Sequence, residues 1–249
     1  MYKEIDFLNG NPIASYNLLL GIGMIAFFLT LEKTFKKNAI SFRLRDKVYS
    51  AVLFSAFFGV TGAILAEAIY HRKDNGLVFS GFTFYGGFLM SLVGLFIFSR
   101  IKKIDFLYLA NLLTLPLIIS HAFGRIGCFL GGCCYGIPTY SFIGIKYPVG
   151  SLPYKHFADY SLHPTQLYES LFLFLLFIVL IKSKIENRFI TYLWTYPIIR
   201  FMIEFYRGDN RGVLFSGYFS PSQEISIGLF LFGLFLFQYK PTLIKEASL

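Results

Sequence analysis

Residues 106–139 read FLYLANLLTLPLIISHAFGRIGCFLGGCCYGIPT, and two kinds of sequence meet there. The stretch 106–119 is an apolar run. The stretch 121–139 holds five glycines, all three cysteines of the chain, an arginine and a proline. Apolar runs recur along the chain at 12–31, 48–70, 77–98, 105–123, 167–181, 189–205 and 223–239. About 20 mainly apolar helical residues cross the hydrocarbon core of a bilayer. The chain therefore reads as an all-α, polytopic integral membrane protein with about seven transmembrane helices. In hydrocarbon every backbone N–H and C=O must be paired, so irregular backbone survives only if it is buried in protein or lines a watery cavity. The segment 121–139 is on that ground expected to wall a polar site.

Composition agrees with a membrane class. The 249 residues are 55% hydrophobic and 20% aromatic, and only 15% are charged. Soluble domains carry about 25% charged residues. The runs leave no room for a large soluble domain, so 1–249 is expected to be a single transmembrane domain. Residues 1–12, MYKEIDFLNGNP, place acidic and polar groups before the first apolar run, and no cleavable signal peptide is expected.

The net charge of +9 raises the question of nucleic acid. That partner is excluded by where the charge sits: it clusters in short loops beside the apolar runs. Lys33, Lys36, Lys37, Arg43, Arg45, Lys47, Arg100, Lys102, Lys103, Lys182, Lys184, Arg188, Lys240 and Lys245 fall on one side. Only Lys3, Arg72, Lys73, Lys146, Lys155, Arg207 and Arg211 fall on the other. The richer side is expected to be cytoplasmic. The N-terminus is then outside and the C-terminus cytoplasmic, and 124–166 is an outside connection between the fourth and fifth spans. The third run opens with SGFTFYGG and is expected to enter as a partly re-entrant segment.

Charged residues inside apolar runs are costly and mark pathways or sites. The sixth run reads FITYLWTYPIIRFMIEFYRGDNRG, with Tyr196, Arg200, Glu204 and Arg207 spaced four, four and three apart. That spacing puts them on one helix face, turned to the bundle interior. An Arg200–Glu204 pair that only fixes packing is the competing reading. For Arg207 the competitor is an anchor that snorkels to the interface. Arg125 lies among glycines that let backbone approach a ligand, and its planar guanidinium suits phosphate or carboxylate. A cation at a helix C-terminus is its plainer reading.

The block LHPTQLYES, 162–170, opens the fifth run, with Pro164 fit for a first helical turn and Gln166 and Glu169 on one face. Interface anchoring is the alternative there, and His163 alone is weak. Three readings stand for the cysteines. With His121 or His163 they form a metal site, which the spacing between Cys128 and Cys133 argues against. Otherwise they are small packing groups, or a thiol activated by the arginine. No metal and no cofactor is expected. Tyr16 and Tyr85 are polar-tipped aromatics within apolar runs, and a buried phenol needs a partner.

The segments SYNLLLGIG, SGFTFYGG, GRIGCFLGGCCYG, LHPTQLYE, YPIIRFMIEFYR and SPSQEIS, in this order, resemble the bacterial prolipoprotein diacylglyceryl transferases. The resemblance covers most of the chain. It implies a multi-pass enzyme of the bacterial inner membrane that takes phosphatidylglycerol, or a similar anionic phospholipid, from the membrane lipids. The diacylglyceryl group is transferred to the lipobox cysteine thiol of a prolipoprotein, and glycerol phosphate leaves. Tyr85, Arg125, Arg200 and Glu204 are then the expected catalytic residues. Tyr16, Cys128, Cys133, His163, Gln166, Glu169, Tyr196 and Arg207 are the expected substrate-binding residues. Tyr168 and Gln223 also match family positions.

The chain departs from that family at the reacting centre. Tyr85 stands where the family pattern has histidine. In its glycine-rich signature Cys128, Gly131 and Cys133 replace two asparagines and a glutamate, and Leu162 replaces the arginine before His-Pro. Two alternatives follow: a related phospholipid-dependent transferase with a different acceptor, or a non-enzymatic lipid or solute carrier.

Overall fold

A computed structural model of the chain describes residues 4–7, 11–70, 83–209, 214 and 217–238. A short antiparallel pair opens the chain, β1 (Glu4–Phe7) and β2 (Asn11–Ala14), in register Glu4 with Ala14. Among the described residues all other regular structure is helical: α1 (Ser15–Lys37), α2 (Phe42–Tyr70), α3 (Phe84–Lys102), α4 (Phe106–Gly131), α5 (Leu152–Phe157), α6 (Thr165–Lys182), α7 (Arg188–Glu204) and α8 (Pro221–Gln238). Among the described residues five helices are long and apolar enough to cross a membrane: α1, α2, α3, α4 and α6. Their exposed sides carry large apolar groups such as Met24, Ile25, Leu29, Leu53 and Phe57. Such surface belongs against lipid rather than water. The chain is a multi-pass membrane protein. The sixth and seventh expected runs form helices, but α7 has only 17 residues and includes Arg200 and Glu204, while α8 opens with the polar turn PSQE.

The chain forms two compact units. The first comprises 1–31, 115–186 and 198–210, and the second 32–114, 187–197 and 211–249. Helices α1, α4 and α7 each contribute to both.

In the second unit α2 and α3 lie backbone to backbone. A Cβ on Gly62 would meet the carbonyl oxygen of Gly86 at 2.6 Å, and one on Gly86 would meet the Cβ of Ala66 at 2.2 Å. Small residues that let backbones touch are the usual adhesive of membrane helices, which lack a hydrophobic drive to associate. Gly86 and Gly87 therefore serve helix packing within a regular helix. The expected re-entrant stretch before Thr83 lies outside the described residues.

In the first unit the fourth run departs from expectation. Helix α4 does not end at 123 but continues to Gly131, so the segment that begins at His121 is helical for its first half. It has no proline to stop it and ends at Gly132, whose φ of 72° is left-handed. Gly132 N–H donates to Phe129 O at 3.2 Å and Cys133 N–H to Cys128 O at 3.1 Å. These are the two bonds of a Schellman cap, which a Cβ at that φ would strain.

Beyond the cap the backbone is stitched to its neighbours. Gly136 N–H donates to His163 O, Ile137 N–H to Tyr206 O and Gly208 N–H to Tyr135 O, at 2.9, 2.9 and 3.0 Å. A Cβ on Gly136 would lie 2.6 Å from both His163 O and Tyr206 O, so no other residue fits there. Tyr135, Tyr147 and Leu162 form a buried core under this connection, with Phe129 and Phe157 packed on it.

Candidate functional site

The first unit gathers charges that no apolar core would hold alone. Arg125 is presented by α4, Glu169 by α6, and Arg200 and Glu204 by α7. All four are buried, Glu169 and Arg200 almost completely. Glu169 lies between the two arginines. Its Oε1 is 3.0 Å from Arg125 Nε, and its Oε2 is 3.9 Å from Arg200 Nη1. Arg200 Nη2 pairs with Glu204 Oε2 at 2.7 Å, one helical turn along α7. Arg125 Nε also donates to His121 Nε2 at 3.3 Å, from the preceding turn of α4. Two cations and two anions make the quartet neutral. Removing water from charges costs several kcal/mol per ion unless each is paired, and here each is.

The block that opens α6 fastens the end of the glycine-rich segment. Thr165 Oγ1 donates to Cys134 O and Gln166 Nε2 to Cys133 O, both at 2.6 Å. Tyr147 OH lies 3.4 Å from Gln166 Oε1. Burial is the largest influence on that phenol and pushes it up to about 12. It therefore stays neutral. Gln166 is in this way a positioning group, with Glu169 one turn further presented to the arginines. His163 Nδ1 is 3.0 Å from Tyr168 OH, and its ring packs on Tyr206. Both His163 and Tyr168 thus brace the connection.

The three sulfurs converge although their sequence spacing gave no such signal. The Sγ atoms of Cys128, Cys133 and Cys134 all lie within 4.8 Å of one another. Cys134 adopts a left-handed φ of 61°, rare for a residue with a side chain. Its sulfur lies 3.9 Å from Arg125 Nη1. Hydrogen bonds from the Cys128 and Cys133 thiols, with Arg207 and Arg125 nearby, hold the Cys134 thiol well below the usual range. Cys133 moves the other way, raised by its thiol neighbours and by burial.

Arg207, just past α7, makes a bidentate pair with Asp209, at 2.7 and 2.6 Å. Sequence reasoning missed Asp209, because it stands in a polar stretch that resembles any exposed loop. Tyr16, at the start of α1, packs on Gly127: a Cβ there would lie 3.3 Å from the Tyr16 ring.

Tyr85 and Tyr196 belong to the second unit. Tyr85 OH lies 2.8 Å from Ser226 Oγ, and its ring meets Tyr196 edge-on at 6.0 Å. Tyr196 stacks on Tyr192 at 5.2 Å. Gln223 caps α8: its Oε1 accepts from Ser220 N–H at 3.0 Å, and Ser220 Oγ accepts from Gln223 N–H at 3.3 Å. This reciprocal pair is a capping box.

The profile of the family described as "Prolipoprotein diacylglyceryl transferase" matches residues 5–239. The chain belongs to that family. A relative from Clostridium perfringens, "Phosphatidylglycerol--prolipoprotein diacylglyceryl transferase 2", is 34% identical over 241 residues, which cover 92% of this chain and 91% of the relative. A Clostridium tetani protein with the same name, without the numeral, is 32% identical over 92% of this chain and 94% of its own. One from Finegoldia magna is 27% identical over 95% of both chains. The matched range of this chain contains the quartet, the α6 block and the three-sulfur segment.

Proposed function

We propose that this chain is a phosphatidylglycerol–prolipoprotein diacylglyceryl transferase of the bacterial inner membrane. The observation that carries the reading is the family match over 5–239. The buried quartet of Arg125, Glu169, Arg200 and Glu204 gives it chemical content. In the proposed reaction the lipobox cysteine thiolate attacks the glycerol carbon next to the phosphate. An S–C bond forms, the C–O bond breaks, and the electron pair leaves on glycerol phosphate. Arg125 and Arg200 take the phosphate, because charge developing on the leaving oxygen is stabilised by donors fixed beforehand in a dry site. A guanidinium has five donors, more than one carboxylate can accept, so each arginine can hold its glutamate and a phosphate oxygen together. Glu204 and Glu169 orient the arginines. Tyr85 is assigned to orienting the acceptor.

In the same reading α7 and α8 complete seven spans, the N-terminus is outside, the C-terminus is cytoplasmic, and 124–166 faces outward past the end of α4. Tyr16, Cys128, Cys133, His163, Gln166, Tyr196 and Arg207 are assigned to substrate binding. Purified protein in phosphatidylglycerol vesicles, given a lipobox peptide, is expected to yield a peptide heavier by one diacylglyceryl group. Retention of full activity by Arg200→Ala would remove the phosphate assignment.

A further inference from the structure

We infer that Cys128, Cys133 and Cys134 form a three-thiolate site for a soft divalent cation of the zinc class, whose fourth position takes the acceptor thiol. The second half of this statement rests on the transferase reading; the first does not. Zinc bound by thiolates has Zn–S bonds of about 2.3 Å, which set tetrahedral sulfurs about 3.8 Å apart. Three sulfurs already within 4.8 Å of one another close to that spacing by side-chain rotation. None of the three is in a disulfide, and all are partly buried.

The backbone holds the triad in place. The Schellman cap at Gly132 returns Cys133 to the last turn of α4, where Cys128 lies, and the left-handed Cys134 stands directly after it. Thr165 and Gln166 clamp the carbonyls of Cys134 and Cys133. Three thiolates and one divalent cation sum to a single negative charge, and the Arg125 guanidinium, which also pairs with Glu169, lies 3.9 Å from Cys134 Sγ.

Three protein ligands leave one tetrahedral position open, as catalytic zinc sites do. The reaction alkylates a thiol, and a coordinated thiol is deprotonated by the metal. The acceptor would bind as the fourth ligand and release its proton to solvent. Its sulfur would then attack the glycerol carbon as glycerol phosphate departs. No oxidant or reductant is needed. The site thus supplies acceptor activation.

The test is a titration of chelator-stripped, detergent-purified protein with Cd²⁺, read by ultraviolet thiolate-to-metal absorbance. One Cd²⁺ per chain is expected, with the absorbance lost in Cys128→Ser, Cys133→Ser and Cys134→Ser. Absence of stoichiometric binding, or absorbance unchanged in the three variants, overturns the metal site. Where a variant fails to fold, the stoichiometry of the native chain decides alone. Adding lipobox peptide to the loaded protein should release a proton and alter the absorbance, and the peptide with serine for cysteine should do neither. Full transfer by stripped protein overturns the acceptor's place on the metal and leaves the transferase reading intact. Transfer by neither form overturns that reading, and the Cd²⁺ stoichiometry still decides the site.

Discussion

Glu169 binds the site together: one carboxylate, with almost no exposure, reaches arginines on two other helices. Removing one partner of a buried ion pair costs about 3–5 kcal/mol, because the other charge remains buried. Glu169→Gln is therefore expected to lower unfolding stability in detergent by about that amount, measured by denaturant titration; a loss below about 1 kcal/mol would mean the arginines have other adequate partners. Arg200→Lys keeps the charge but loses the planar fork, and is expected to lose transfer activity while keeping most of the fold. Wild-type turnover in that variant would contradict a need for the planar guanidinium. Arg125, Glu169, Arg200 and Glu204 were all legible in the sequence, since each is a charge in or beside an apolar run. Asp209 was not, because nothing local separates a half-buried aspartate that pairs with Arg207 from a solvated one.

At the scale of elements the sequence was clear about helices and poor about their ends. Long apolar runs located α1 to α4 and α6 to α8. The end of α4 was misjudged because glycines at 124 and 127 read as loop. Tyr16 packs on Gly127 instead, and the helix runs on to its cap at Gly132. The spacing between Cys128 and Cys133 argued against a shared site, whereas the cap brings Cys133 back to Cys128. Gly132→Ala places a Cβ at a left-handed φ and is expected to cost about 1–2 kcal/mol. In the native chain the change should also weaken Cd²⁺ binding; unchanged stability and binding would show that the cap does not set the triad. The α2–α3 contact gives a second check. Gly62→Val forces two backbones apart and is expected to cost about 1–3 kcal/mol by overpacking, visible as a lower melting temperature. An unchanged melt would mean that the helices separate without penalty.

For the whole molecule, composition sets the membrane class, and charge placement supports the proposed orientation. Fourteen basic residues against seven are the ground for the proposal that the loops after α1 and α3 are cytoplasmic. An alkaline phosphatase fused after Tyr140, a fully exposed residue, should be active, and one fused after Asn38 should be inactive; the reverse pattern would invert the topology and move the site to the wrong leaflet. The most direct measurement is a mass-spectrometric assay of the purified full chain with phosphatidylglycerol and a lipobox peptide. A thioether-linked diacylglyceryl peptide, with glycerol phosphate released in equal amount, is the predicted result. Unmodified peptide and intact phosphatidylglycerol, under conditions where the Clostridium perfringens relative completes the transfer, would contradict it.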